Sequence, residues 1–167
     1  MISFDEFSTR KIKKNDIFQT RVKIFKNKSK NLRYLLDKRL LWMKPFLSKK
    51  KKIVELGSGS GYINTILKKK IILTDIIKYS WINKKIDMTK VNLGKKYLNK
   101  VDVFIINHSL HHCCNPAKSL KNMSKYLKKD GLILINDPEL SFLFGSILFF
   151  LNDEEWSFKV NVFNYKK

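Results

Sequence analysis

From Asn31 the chain reads NLRYLLDKRLLWMKPFL, with Leu32, Leu35, Leu36, Leu40 and Trp42-Met43 at roughly helical spacing. Pro45 limits this predicted helix on its C-terminal side, because proline lacks the N–H that a helix interior requires. A short apolar strand in KKIVEL then breaks into glycines, and a helix follows through about Lys69. Ile71 to Ile76 (IILTDI) is a second apolar run that contains an acid near its end. Ile86-Asp87-Met88 reads as a very brief third strand, and Val101 to Asn107 (VDVFIIN) as a fourth. Asn115 as N-cap and Pro116 at the first helical position predict a helix over 116–128, ended by Gly131. Leu132 to Asn136 (LILIN) is the fifth strand. Apolar strands alternating with helices predict an α/β fold, a doubly wound and mostly parallel sheet covered on both faces.

The flanks differ from this core. Residues 1–30 are polar and basic and are expected to form a loosely held lead-in to a single domain over 31–167, whose motif-bearing core is 53–139. After Glu139 there is room for one helix and at most one strand. The segment 140–151 is apolar nearly all round a helix yet shorter than the roughly 20 residues of a membrane span. It is expected to cover a ligand pocket, to meet a second copy in a homodimer, or to serve as core; a membrane surface is the remaining alternative. The N-terminus has no apolar h-region, so no secretory signal is expected. The two cysteines, Cys113 and Cys114, are adjacent and cannot supply a disulfide framework, which fits a reducing cytoplasm.

Charge changes the picture less than its size suggests. The 35 basic and 14 acidic residues give a net charge of +21, which would ordinarily point to nucleic acid or an anionic surface. Only Arg10, Arg21, Arg33 and Arg39 are arginines; the rest are lysines, in a chain also crowded with Asn and Ile. An AT-rich coding sequence produces that trio whatever the protein does. Arginine is the planar fork suited to phosphate and guanine, so no specific nucleic-acid partner is expected.

The chemistry begins at Glu55-Leu56-Gly57-Ser58-Gly59-Ser60-Gly61. Glycines between a strand and a helix let the backbone pass close to a ligand, beside the free N–H groups of a helix N-terminus. The dinucleotide fingerprint is G-x-G-x-x-G, whereas here the third glycine comes one residue earlier. The same residues also suit a plain tight turn, with Glu55 a solvated carboxylate at a strand end. Asp75, ending the second strand, could accept hydrogen bonds from both hydroxyls of a ribose in the crevice. The bland alternative for Asp75 and Asp87 is a surface or capping role.

E-x-G-x-G-x-G resembles motif I of the class I S-adenosylmethionine-dependent methyltransferases. The stretch from Asn107-His108-Ser109 through Leu110-His111-His112, a helix ending in LKKDG and a strand ending in an acid is similar to their small-molecule and glycan branch. The resemblance implies a Rossmann-like fold with S-adenosyl-L-methionine as cofactor, lacking part of the C-terminal closing hairpin, as in a minimal or truncated member. It further implies cofactor contacts from Glu55, Gly57, Ser58, Gly59 and Gly61. Asp75 with Ile76 would meet the ribose, Asp87 with Met88 the adenine, and Asn107 and His108 would contact the cofactor from the end of the fourth strand.

His111-His112-Cys113-Cys114 invites a metal reading, but consecutive side chains diverge and structural zinc sites use pairs spaced like C-x₂-C or H-x₃-H. No metal is expected. His108, His111 and His112 are candidates for a general base, against the alternative that they shape the loop beneath the cofactor. No N-P-P-Y or D-P-P-Y follows the fourth strand, and no cysteine stands in a Pro-Cys context, which disfavours methylation of nucleobases. The leading expectation is an enzyme that methylates a small molecule or a sugar. A non-catalytic domain retaining the fold, and an RNA methyltransferase using the lysine surface, are the alternatives.

Overall fold

A computed structural model describes residues 14–26, 30–113 and 115–137. Helix α1 (Lys14–Lys26) is followed by α2 (Lys30–Leu40), a 3₁₀ turn at Leu41–Met43 and the short α3 (Lys44–Leu47). Strand β1 (Ile53–Leu56), helix α4 (Ile63–Leu67), β2 (Ile72–Asp75) and β3 (Lys84–Lys85) come next. Two 3₁₀ turns (Met88–Lys90 and Lys95–Tyr97) lead to β4 (Val101–Asn107), a third turn (Leu110–His112), α5 (Pro116–Ser124) and β5 (Leu127–Asn136). The five strands are all parallel in the order β3-β2-β1-β4-β5. No helix of the described residues is long and apolar enough to cross a membrane.

The order follows from burial. All four residues of β1 and all seven of β4 are buried, as central strands covered on both faces require. Alternation along β4 divides the core. Val103 and Ile105 pack with Ile53, Leu73, Leu36, Leu40 and Ile63 on the α2–α4 side. Phe104 and Ile106 pack with Val54, Leu56, Val91 and Met123 on the α5 side. The sheet reverses its winding between β1 and β4, and the carboxyl ends of strands at such a switch point form a crevice for ligands.

Several elements differ from the pattern-based reading. Pro45 does not end the helical path. It sits in the first turn of α3, where proline is tolerated, and the helix runs on to Leu47, which is fully buried. The third strand is Lys84–Lys85 rather than 86–88; Asp87 caps the following 3₁₀ turn and so stops the pairing after Ile86. Helix α5 opens as expected, with Asn115 Oδ1 accepting the N–H of Lys118, but it ends at Ser124 rather than 128. There the Tyr126 carbonyl accepts the Val101 N–H at 2.9 Å, which draws the backbone into the sheet.

Gly131 therefore lies inside β5 rather than after a helix. The β4–β5 register shifts between the Val101–Leu127 and Val103–Leu132 pairs, and a β-carbon on Gly131 would lie 2.8 Å from Leu127 Cδ2. A side chain there would press on Leu127 and on the Lys128 carbonyl, 3.0 Å away, so glycine eases the bulge. Within the basic stretch 1–30, residues 14–26 form α1, whose Ile17 and Ile24 pack against the core. The segment 140–151, the closing hairpin and Cys114 lie outside the described residues.

Candidate functional site

The glycine loop after β1 is built by three glycines in left-handed backbone, Gly57 (φ 68°), Gly59 (φ 47°) and Gly61 (φ 67°). At Gly57 the requirement is also steric. A β-carbon there would lie 2.6 Å from Cβ and Oγ of Ser109 and 3.4 Å from Cε of Met88. The loops that follow β1, β3 and β4 thus converge on one backbone position at the switch point. Ser109 Oγ donates to the Leu56 carbonyl at 3.1 Å, tying the end of β4 to the end of β1.

Ser58 holds the loop from inside. Its N–H donates to the Thr74 carbonyl at 2.9 Å, its Oγ accepts the Thr74 N–H at 3.1 Å, and its carbonyl accepts the Gly61 N–H at 2.8 Å. Asp75, at the end of β2, accepts the Gly59 N–H at 2.8 Å through Oδ2 and the Ile77 N–H at 3.0 Å through Oδ1. Each oxygen keeps a lone pair beyond these bonds. Ile76 beside it is 56% exposed, an unusual position for isoleucine at a crevice rim.

Glu55 is not the solvated carboxylate of the bland reading. It is buried, its Oε2 has no hydrogen-bond partner among the described residues, and burial pushes its pKa up to about 8. The Ser58 hydrogen bond pulls the other way and the Asp75 charge adds to the rise. A buried acid with one oxygen unpartnered among the described residues, beside a glycine loop, suits a cationic ligand group that draws off its proton.

Asp87 accepts both the N–H and the Oγ1–H of Thr89 through one oxygen, Oδ1, at 2.8 and 2.7 Å, so its capping role is real. Met88 nevertheless reaches Gly57, as above. Asn107 links two neighbours, donating to Tyr62 Oη at 3.0 Å and accepting from Asn136 Nδ2 at 2.8 Å. His108 adopts positive φ (51°), and its ring is pushed below the ordinary histidine pKa by burial and then by the Arg39 charge. His111 lies on the turn after β4, against Asp137 and with its ring centroid 3.9 Å from that of His112. Among the described residues no group of three metal-binding side chains occurs.

Sequence reasoning missed the contribution of α1 and of the β2–β3 connection. Trp81 Nε1 donates to the Gly59 carbonyl at 2.8 Å and its ring stacks on Tyr79 at 4.8 Å. The Arg21 guanidinium lies 4.5 Å from the Trp81 ring and 4.3 Å from Phe25, and donates to the Ser60 carbonyl. Carbonyls of the loop are thereby satisfied from outside. Neither Arg21 nor Trp81 belongs to a recognisable spacing; the one available signal was arginine in a chain that otherwise uses lysine.

A family model described as a methyltransferase domain matches residues 28–160. Among solved structures, a SAM-dependent methyltransferase from Aquifex aeolicus is 19% identical with a TM-score of 0.54, over 80% of this chain and 86% of that one. The trans-methyltransferase CalH, in complex with SAH, is 20% identical with a TM-score of 0.46, over 72% of this chain and 44% of that one. A Thermotoga maritima protein described as a possible histamine N-methyltransferase is 20% identical with a TM-score of 0.47, over 72% of this chain and 59% of that one. The chain thus spans less than two thirds of the length of CalH and of the Thermotoga protein. A search of curated proteins finds no match.

Proposed function

The chain belongs to the class I methyltransferase-domain family, whose cofactor is S-adenosylmethionine, and we propose that it transfers a methyl group to a small-molecule or sugar acceptor. The observation that carries this reading is the convergence of three strand-end loops on Gly57, beside the Asp75 carboxylate and the Glu55 carboxyl, whose Oε2 is unpartnered among the described residues. These residues fit the group. Gly57, Ser58, Gly59 and Gly61 would let the cofactor approach the backbone, and Glu55, on giving up the proton that burial holds on it, would offset the positive charge. Asp75 with Ile76 would hold the ribose, Asp87 with Met88 the adenine, and Asn107 with His108 would close the far side. When bound, the cofactor supplies a methyl group already activated on a sulfonium.

With the methyl so activated, the chain's own task is to orient the acceptor and exclude water, and orientation alone can lower a barrier by about 7–11 kcal/mol in favourable cases. The domain proposed for this task is 31–167, with α1 of the basic stretch 1–30 packed against it, and a cytoplasmic setting is part of the proposal. The segment 140–151 is proposed to cover the acceptor or to join two copies. Methyl-labelled S-adenosylmethionine incubated with the protein and cell extract tests the acceptor class. Label in a small-molecule fraction supports the reading, label in RNA favours a nucleic-acid acceptor, and no transfer despite cofactor binding favours a non-catalytic domain.

A further inference from the structure

Asp137, the residue directly after β5, engages His111 twice. Its Oδ2 accepts the His111 backbone N–H at 2.8 Å, and its Oδ1 lies 3.1 Å from ring Nδ1. A carboxylate is an acceptor only, so the neutral ring carries its proton on Nδ1 to make the second bond, and Nε2 is then the bare acceptor nitrogen. Among the described residues Nε2 makes no hydrogen bond, and the His111 side chain is 28% exposed while Asp137 is 18% exposed. The backbone bond fixes where the ring starts and the ring bond fixes its rotation. The turn that carries His111 begins at Ser109, which packs on Gly57, and Asp137 directly follows β5, so the pair lies at the carboxyl edge of the sheet, the edge that also carries the glycine loop.

We infer that His111 is the general base of the methyl transfer, that Asp137 is its positioning residue, and that the acceptor is a hydroxyl or amine. The inference rests on the functional reading above. In the step, His111 Nε2 takes the proton from the acceptor O–H or N–H. The electron pair left on oxygen or nitrogen forms the bond to the methyl carbon of a sulfonium donor, and the carbon–sulfur pair stays with sulfur. Asp137 stabilises the imidazolium, which then gives its proton to water. Among the described residues, the charged or titratable groups around the ring are Asp137, His112, His108 and, through His108, Arg39.

Two measurements on the full chain test this. Nitrogen-15 spectra of the imidazole rings, assigned with His111→Gln, should show His111 protonated on Nδ1 and bare on Nε2, and Asp137→Ala should shift the proton toward Nε2. A wild-type ring protonated on Nε2 overturns the inference without any acceptor being known. Formation of S-adenosylhomocysteine with the small-molecule fraction of cell extract is the second readout. The rate should rise with pH along a one-proton limb and fall about 10²-fold or more in His111→Gln, with that limb lost and S-adenosylhomocysteine affinity unchanged. Turnover that His111→Gln leaves within twofold overturns the dyad alone. Absence of wild-type turnover overturns both the dyad and the functional reading, and binding of S-adenosylhomocysteine then shows whether the cofactor site survives.

Discussion

Asp75 accepts the backbone N–H of Gly59 at 2.8 Å, so the acid that ends β2 and the glycine loop that follows β1 form one unit before any ligand arrives. The carboxylate also accepts from Ile77, which fixes its rotamer. In Asp75→Ala the loop should therefore loosen even without ligand, with faster amide exchange at Gly59 as the readout. Unchanged exchange at Gly59 would mean that the loop is held by Ser58, Trp81 and Arg21 without Asp75.

Gly57→Ala should be far more damaging than Gly94→Ala, although both glycines have positive φ (68° and 91°). The backbone strain of about 1–3 kcal/mol is common to the two. Only at Gly57 would the new carbon collide with Ser109, whereas nothing lies within 4 Å at Gly94. Thermal melts should show both variants destabilised, and only Gly57→Ala should lose binding of S-adenosylhomocysteine. Equal behaviour would contradict the convergence of loops at Gly57.

Glu55 predicts a pH dependence of opposite sign to that of a paired surface acid. Its folded pKa is raised to about 8 by burial, and an unfolded glutamate titrates near 4.5. Between these values the folded chain holds a proton that the unfolded chain has lost, so this residue makes stability fall as pH rises through the window. Its contribution is fully present below about 4.5 and gone above about 8. Denaturant melts from pH 5 to pH 8 should show a slope that Glu55→Gln flattens, with the variant the more stable protein at pH 8. A variant less stable than wild type at every pH would refute a protonated Glu55.

Arg21 joins α1 to the glycine loop, and a charged hydrogen bond of this kind contributes about 1.5–3 kcal/mol. Arg21→Ala should speed amide exchange across 14–26 while leaving β4 protected. Arg21→Lys should restore little, because an ammonium cannot lie flat between Phe25 and Trp81. Full recovery with lysine would reduce the contact to simple charge.

What the sequence made legible were the features encoded locally. The apolar run of β4 fixed its ends at Val101 and Asn107, and Asn115-Pro116 marked the start of α5, because period and capping act over a few residues. The glycine spacing and Asp75 were legible for the same reason. The start of β5 was not, since it depends on Tyr126 meeting Val101 across the sheet, a tertiary contact that outweighs the helical pattern of 125–128. Asp137 escaped notice as a partner for His111 because 26 residues separate them in the chain, and only the parallel pairing of β4 with β5 brings their strand ends together. The position after a strand at the carboxyl edge was the signal that could have found it.

The glycine loop and Asp75 are proposed to hold an adenosyl cofactor. Calorimetry of the full chain with S-adenosylhomocysteine tests it most directly, with NAD and the Asp75→Ala variant as comparisons. Saturable binding near one ligand per chain is expected, weakened in Asp75→Ala by about 1.5–3 kcal/mol, roughly 10- to 150-fold, with far weaker binding of NAD. No heat and no thermal shift at millimolar S-adenosylhomocysteine, or equal affinity for NAD, would contradict it.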